Sequence, residues 1–354
     1  MEDPKKLLEN LLLTVIKEDA SDLHLSVGRN PSIRVSGSLI PLVKEPILTP
    51  EMTEALTMEM LEPGEREVLK REKELDFSYD FQGKARFRGN AYSQRGFWSV
   101  ALRLIPTKIS TPKELNLPDI LLEFAKREQG FFLVVGPIGH GKSTTLASLI
   151  DHINHTRAEH ILTVEDPIEY IFNQDKSIID QREVRVDTSD FKRALKSLFR
   201  EDVNVGMIGE MRDLETISTA LTAAETGHLI FSTLHTNNAA QTIDRIIDSF
   251  PSDQQNQVRL QLSNALLGVF SQRLVPRVSG GRVPAYELLI CNSAIKNLIR
   301  ENRTHEIDIV IETSFEQGMM SMNRSLADLI RSGEVLPENA VMYSLDPKGL
   351  ENLM

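Results

Sequence analysis

A glycine-rich octet, "GPIGHGKS", constrains the fold of this chain more than any other stretch. It spans Gly136–Ser143, directly after the apolar run "FFLVV" and before the amphipathic stretch "STTLASLIDHIN". Glycines at this spacing let backbone N–H groups converge on phosphate oxygens, while the lysine adds a positive charge and the serine an oxygen for magnesium. The position between a strand and a helix is the context that this motif requires. The octet therefore predicts a phosphate-binding loop.

Eight residues of this segment are expected to surround a bound nucleotide: Gly136, Pro137, Gly139, His140, Gly141, Lys142, Ser143 and Thr144. Lys142 is expected to reach the β- and γ-phosphates, and Ser143 to contribute an oxygen to Mg²⁺. His140 occupies a variable position of the motif. There the pattern alone favours an outward side chain without a chemical role over a functional one.

The first half of the chain has the pattern of an antiparallel sheet. Five short segments between residues 22 and 105, such as "SIRVSG" and "ARFRGNAYSQ", alternate apolar and polar residues and are separated by glycine, proline or polar breaks. Such alternation is typical of strands with one face in water. An amphipathic stretch precedes them, and a helical stretch from roughly Pro50 to Lys73 interrupts them. We predict a small α+β domain over residues 1–105.

The second half has the pattern of a parallel sheet. A proline-bearing stretch at residues 106–118 predicts a linker. Beyond it, short apolar runs alternate with amphipathic helices, as expected for parallel strands that are covered on both faces. From about residue 253 the pattern predicts helices with one hairpin, at "VPRVSGGRVPAYELL", and no further sheet strands. We predict an α/β domain over residues 119–354 with a helical C-terminal part.

Polar residues follow three further strands of the predicted sheet. Glu165 and Glu169 lie at the carboxyl end of the strand in "ILTVEDPIEY", Glu210 lies at the tip of "VNVGMIGE", and His235 lies at the end of "HLIFSTLHTNN" together with two threonines. Taken singly, an acidic turn is structural about as often as functional, and a lone histidine is more often structural. Ligands of open α/β sheets lie beyond the carboxyl ends of the strands, so four such ends favour a shared site for phosphate chemistry.

Composition excludes several classes of protein. The chain has 40 Lys and Arg against 51 Asp and Glu, a net charge of −11 that argues against a nucleic-acid-binding function. Its apolar runs are too short to span a bilayer, and its start lacks the features of a signal peptide. A single cysteine, Cys291, excludes an intrachain disulfide and a cysteine-only zinc site. We expect a cytoplasmic protein without direct membrane insertion.

Four motifs together resemble those of the secretion and type IV pilus ATPase superfamily. "GPIGHGKSTT", "TVEDPIEY", "GEMRDLET" and "STLHTNNA" are similar to its Walker A motif, Asp box, atypical Walker B motif and His box. The pair Gly209-Glu210 departs from the aspartate of a generic Walker B motif but matches this superfamily. The resemblance implies a RecA-like ATPase domain after a PAS-like domain. It also implies a homohexamer that binds ATP and Mg²⁺ between the domains.

A further motif distinguishes branches of the superfamily. "AIKNLIREN", at Ala294–Asn302, is similar to a motif of the pilus-retraction ATPases, with Lys296 in place of arginine. The four-cysteine zinc module and long N-terminal extension of the assembly and type II secretion branches are not found. The resemblance implies a motor for type IV pilus retraction and twitching motility. An accessory retraction ATPase is the first alternative, and an assembly or export ATPase the second.

The resemblance also implies roles for individual residues. Glu169 corresponds to the proposed general base, with Glu165 in reserve, and His235 belongs to the His box. Ser143 and Glu210 correspond to the residues that organise Mg²⁺. Four arginines are candidates to reach a nucleotide across a domain or subunit boundary, although each is as readily a surface charge: Arg88, Arg103, Arg200 and Arg245.

Implied partners are further copies of the chain, an inner-membrane pilus platform protein and a paralogous retraction ATPase. Nucleic acid is not expected among them. Association with the inner membrane is expected to be peripheral, through the pilus machinery.

Overall fold

The computed structural model describes residues 3–35, 37–106 and 108–354. The first two residues of the predicted N-terminal helix and Thr107 of the predicted linker lie outside these ranges. The chain forms two compact units, and the main boundary falls between Lys108 and Ile109. The first unit comprises Met1–Lys108 with Glu169–Ile171, and the second comprises Ile109–Ile168 with Phe172–Met354.

The first unit is an α+β fold built on one antiparallel sheet. Its strands are β1 Asp22–Leu25, β2 Ser32–Val35, β3 Ser38–Pro41, β4 Glu74–Phe81, β5 Ala85–Gln94 and β6 Phe97–Ile105. Its helices are α1 Pro4–Lys17, α2 Pro50–Met60 and α3 Pro63–Glu72. Over the described residues the strand order is β3-β2-β1-β6-β5-β4, with every neighbouring pair antiparallel. The predicted class of this domain is confirmed.

The core of the first unit lies on one face of its sheet. Phe87 and Ala91 of β5 point into it, and Leu11 and Leu12 of α1 pack against it. The predicted helical stretch over 50–73 forms as two helices, because the chain is extended at Glu62, where the following proline disfavours helical backbone. Strand β3, exposed at all four positions, was not predicted because it has no inward face.

The second unit is an α/β fold. Its strands are β7 Gly130–Val135, β8 His160–Glu165, β9 Ile178–Glu183, β10 Val205–Ile208, β11 Leu229–Leu234, β12 Leu266–Pro276 and β13 Arg282–Ile290. Its α-helices are α4 Leu121–Ala125, α5 Lys142–Thr156, α6 Phe191–Leu198, α7 Leu214–Glu225, α8 Ala239–Asp248, α9 Gln255–Ala265, α10 Ser293–Arg300, α11 Ile307–Thr313, α12 Met322–Arg331, α13 Pro337–Tyr343 and α14 Pro347–Glu351.

The sheet of this unit has the order β13-β12-β7-β11-β10-β8-β9 over the described residues. All neighbours are parallel except β12 and β13. Every residue of β7 and of β11 is buried, as a strand covered on both faces requires. The carboxyl ends of β7, β8, β10 and β11 meet at one edge, so the loops that follow them are neighbours. The predicted α/β class is confirmed.

The prediction that the tail after about residue 253 adds no strands to the sheet was wrong. The hairpin is formed, but β12 and β13 also extend the sheet, and β12 pairs directly with β7. Within this tail, helix α10 covers most of "AIKNLIREN" and buries Ile295, Leu298 and Ile299 in the core, as their spacing predicts.

The single cysteine, Cys291, directly follows β13. Its backbone N–H donates to the carbonyl oxygen of Leu267 at 2.9 Å, which holds the end of the strand in place. Burial raises the pKa of its thiol to about 12. The thiol is therefore protonated at neutral pH.

No helix among the described residues is long and apolar enough to cross a membrane.

Candidate nucleotide-binding site

The phosphate-binding loop, Gly136–Ser143, connects β7 to the first turn of α5. Two of its glycines are required by close packing against β12. At Gly136, where φ is +140°, a Cβ would lie 2.3 Å from the carbonyl oxygen of Gln272. At Gly141, where φ is +80°, a Cβ would lie 2.9 Å from Gln272 Nε2. The loop thus takes a compact shape that side chains at these positions would prevent.

The Lys142 side chain is buried and folds back onto the loop. Its ammonium donates to the carbonyl oxygens of Gly136 and Pro137, both at 2.9 Å. It also lies 3.2 Å from Nδ1 of His235. The partly buried Ser143 and Thr144 follow in the first turn of α5. The unpaired N–H groups and the dipole of a helix N-terminus favour an anion at this position.

His235 connects Lys142 with Glu210. Because the Lys142 ammonium donates, Nδ1 of His235 accepts and the ring proton is on Nε2, which lies 3.5 Å from Glu210 Oε2. Arg212 forms an ion pair with the other oxygen, Oε1, of Glu210. Burial and the charge of Lys142 lower the pKa of His235, against the opposing effect of Glu210. The ring is therefore neutral near pH 7. It connects the phosphate-binding loop, through Lys142, with the segment after β10, through Glu210.

The threonines beside His235 hold the loops in place. Thr233 Oγ1 donates to the carbonyl oxygen of Gly209 at 2.6 Å, and Thr236 Oγ1 bonds Thr242 Oγ1 at 2.7 Å. The two threonine hydroxyls thus have structural partners.

A buried carboxyl supports the helix that follows these threonines. The N–H of Ala239, in the first turn of α8, donates to Oε1 of Glu287 at 2.8 Å. Burial of Glu287 raises the pKa of its carboxyl to about 7. This group is therefore partly protonated at neutral pH.

The structure separates the two acidic residues predicted as bases. Glu165 is buried, where its Oε1 accepts from Thr163 Oγ1 at 2.8 Å and lies 3.5 Å from Gln181 Nε2. Glu169 has an exposed side chain and is grouped with the first unit.

The predicted arginines are on exposed surfaces. Arg88 of β5 and Arg103 of β6 are direct cross-strand neighbours. Asp22 of β1 is opposite Arg103 and accepts from its Nε at 3.0 Å, and Arg34 of β2 is opposite Asp22 on the other side. The face of this sheet thus has a row of three arginines with one aspartate. In the second unit, Arg200 follows α6 and Arg245 lies on α8, both exposed.

A cavity of about 320 Å³ lies beside the first turn of α5. It is lined by residues of the loop and helix, by residues 114–117 and by the hairpin, among them Thr144, Leu115, Gln272, Leu274, Arg277 and Arg282. Sequence reasoning missed the residues outside the loop. The one available signal was the polar pair Ser271-Gln272 within the apolar run "LLGVFSQRLVP". This volume is at the lower end of the range for small-molecule sites.

In this sheet a phosphate-binding loop follows β7, and Glu210 and His235 follow the neighbouring parallel strands β10 and β11. These features define a P-loop nucleotide-binding protein. Comparison with known families agrees and is more specific. The chain belongs to the Type II/IV secretion system protein family, whose model matches residues 3–281. The resemblance carried by the four motifs is thereby confirmed.

Individual relatives match nearly the whole chain. The type IV pilus retractation ATPase PilT of Pseudomonas aeruginosa PAO1 is 44% identical over 333 residues, 94% of this chain and 96% of that protein. The type IV pilus ATPase PilU of the same strain is 39% identical over 337 residues, 95% of this chain and 88% of that protein. A crystal structure of the pilus retraction motor PilT with bound ADP has a TM-score of 0.92 at 48% identity, covering 97% of this chain and 98% of that chain.

Proposed function

We propose that this chain is an ATP-hydrolysing motor that powers the retraction of type IV pili. The observation that carries the proposal is the line from Lys142 through His235 to Glu210, directly at the phosphate-binding loop. The 44% identity to PilT over nearly the whole chain supports retraction as the use of that chemistry. An accessory role is the second candidate, because the identity to PilU is lower, 39%.

ATP is proposed to bind with its phosphates on the loop. The Lys142 ammonium would exchange the carbonyl oxygens of Gly136 and Pro137 for phosphate oxygens, which are stronger acceptors because they are charged. The neighbouring cavity, which Thr144 lines, is proposed for the base or sugar. The crystal structure of PilT with bound ADP supports a nucleotide as the ligand of this fold.

Mg²⁺ is the proposed cofactor. The Ser143 hydroxyl and the Glu210 carboxylate are hard oxygen donors, and Mg²⁺ prefers such donors together with water and phosphate oxygens. The residues present therefore fit the ion in their chemistry. When bound, Mg²⁺ would neutralise negative charge that develops on the phosphates. His235, neutral and adjacent to both Lys142 and Glu210, is proposed to sense the terminal phosphate.

Glu169 is proposed as the general base that activates water. Glu169 is exposed to solvent, and its place in the motif "TVEDPIEY" supports this role, while the buried Glu165 is kept as the reserve. Arginines are proposed to stabilise transition-state charge across a domain or subunit boundary. The row of Arg34, Arg103 and Arg88 supports this for the first unit, because a face with three cations and one acid suits an anionic partner.

The assembly proposed for this activity is a homohexamer in the cytoplasm. It would act at the inner membrane through a pilus platform protein, together with a paralogous retraction ATPase. Movement of the domain at residues 1–105 against that at 119–354, about the linker at 106–118, is the proposed working stroke. Arg200 and Arg245, exposed on the second unit, are the candidates for contact with a neighbouring copy.

Imaging of labelled pili tests the proposal. Cells of the source organism that lack the gene would be complemented with the intact protein, with Glu169→Ala, or with Glu312→Ala as a matched exposed control on α11. We expect many non-retracting pili in the deleted cells, with rescue by the intact and control proteins and none by Glu169→Ala. Bald cells would instead indicate an assembly motor. Unchanged pili would indicate the accessory or export function.

A further inference from the structure

Strand β12 continues beyond the end of the strand that precedes the phosphate-binding loop. It pairs with β7 from Leu266 opposite Phe131 to Ser271 opposite Val135, where β7 ends. Five more residues of β12 then run alongside the loop, and we call this segment, Gln272–Pro276, the β12 extension. Its backbone and side chains contact the loop at several points. None of these contacts enters the proposed chemistry directly.

Gln272 connects the loop with the first turn of α5. Its side chain is 2% exposed, its Oε1 accepts from Thr145 Oγ1 at 2.7 Å, and its Nε2 donates to the His140 carbonyl oxygen at 2.8 Å. The Gln272 backbone oxygen also occupies the space that a side chain at Gly136 would need. One buried amide thus fixes the distance between the middle of the loop and the helix that follows it.

His140 is held by the same segment. Its Nδ1 accepts from the backbone N–H of Leu274 at 2.9 Å, so the ring is neutral with its proton on Nε2. The structure therefore differs from the expectation of an outward side chain without a role. Burial and three cations that act electrostatically on the ring, Arg273, Arg282 and Lys142, lower its pKa, and the centre of the Tyr343 ring lies 6.0 Å from its centre. Arg282 also donates to the Gly139 carbonyl oxygen at 3.2 Å.

We infer that Gln272 and His140 are positioning residues for nucleotide binding, which hold the phosphate-binding loop in its binding shape through the β12 extension. The loop contains three glycines with positive φ, a composition that leaves a free loop many conformations. Its backbone N–H groups bind phosphate only when they converge. Hydrogen bonds that restrict the loop beforehand reduce the entropy lost on binding and so lower the dissociation constant.

Nucleotide titration of the full-length protein tests the role of Gln272. Gln272→Met keeps the side-chain volume but removes both hydrogen bonds. Gln261→Met is the matched control. Gln261 lies on α9 of the same unit, and its side chain also makes a hydrogen bond, which it donates to Glu225 at 2.9 Å. We expect Gln272→Met to raise the Kd for Mg-ATP and the KM about tenfold, the usual effect of one or two hydrogen bonds. We expect the rise in KM to exceed any fall in kcat, since the amide acts on binding through the shape of the loop.

A pair of substitutions at His140 separates positioning from a general structural effect. Asparagine places an oxygen where the histidine has Nδ1, so His140→Asn keeps an acceptor for the Leu274 N–H. His140→Ala removes it. We expect a KM about fivefold higher for the alanine variant and a value near that of the intact protein for the asparagine variant. Equal KM values for the two variants, or unchanged ATP affinity in Gln272→Met, would overturn the inference.

The inference rests on the proposed nucleotide-binding function, and a second measurement distinguishes their failures. Hydrogen exchange of the loop amides, 138–143, is measured on the intact protein and on Gln272→Met without nucleotide. Faster exchange in the variant together with no ATP binding by the intact protein would refute the proposed function but leave the restraint of the loop in place. Unchanged exchange in the variant would refute the restraint even if the intact protein hydrolyses ATP.

Discussion

Replacement of Gly136 by alanine tests whether the β12 extension determines the shape of the phosphate-binding loop. The new Cβ would lie 2.3 Å from the Gln272 carbonyl oxygen, a backbone atom that cannot rotate away. The contact forces a backbone shift that costs about 1–3 kcal/mol. An alanine at φ +140° adds backbone strain of about 1–3 kcal/mol. We expect a total destabilisation of about 4 kcal/mol, the sum of the middles of these two ranges.

Gly139→Ala is the matched control within the same loop. Gly139 also has a positive φ, +78°, but no heavy atom lies within 4 Å of the position that a Cβ would take there. Its substitution should therefore cost only the strain, about 1 kcal/mol. The contrast between the two alanines isolates the contact with Gln272 from the conformational preference of glycine.

Thermal unfolding of the purified protein, at fixed protein concentration and without nucleotide, measures both effects. For a unit of this size, 1 kcal/mol corresponds to about 2–4 °C in Tm, so Gly136→Ala should lower Tm by about 10 °C and Gly139→Ala by about 3 °C. ADP affinity should fall strongly in the first variant, because the loop amides no longer converge. Equal Tm losses in the two variants, or normal ADP affinity in Gly136→Ala, would refute this reasoning.

Three further predictions concern charged groups. Lys142→Met should weaken ATP binding about a hundredfold in calorimetric titration without lowering Tm, because it removes a buried charge whose present partners include two backbone carbonyls. Glu287, with a folded-state pKa raised from 4.5 to about 7, should make the intact protein lose about 3 kcal/mol of unfolding free energy as pH rises from 4.5 to 7. Urea unfolding at several pH values should show this slope in the intact protein and not in Glu287→Gln. The pKa of His140 is lowered by burial and by Arg273, so its bond to Leu274 is fully present above pH 6.5 and lost as pH falls through the lowered pKa. ATP affinity in acid should therefore fall more steeply for the intact protein than for His140→Asn, and parallel pH profiles would contradict this.

The parts of the fold that the sequence predicts are those in which burial follows a regular pattern along an element. Strands with one face in water alternate, as β5 does, and strands covered on both faces are continuously apolar, as β7 is. Strand β12 was missed because buried polar residues, Ser271 and Gln272, interrupt its apolar run. Strand β9 lies at the edge of the sheet and begins with the exposed Ile178, so its pattern is weak.

In the candidate site, too, some contacts are predictable from the sequence and others are not. The phosphate-binding loop is local in sequence, and sheet topology then predicts that the residues after neighbouring strands meet, as His235 and Glu210 do. The bond from Leu274 to His140 joins residues 134 positions apart and depends on which strand lies beside β7. Periodicity does not contain that information, so the role of β12 could be found only in the structure.

The state of Cys291 has a practical consequence for measuring the motor at work. A thiol with a pKa of about 12 has almost no thiolate at neutral pH and reacts slowly with maleimides. A second cysteine introduced at an exposed position, such as the 83% exposed Ile138 at the tip of the loop, would then be the preferred attachment point for a fluorophore. The natural chain thus offers a background on which nucleotide-dependent changes in emission can be followed without first removing its own cysteine.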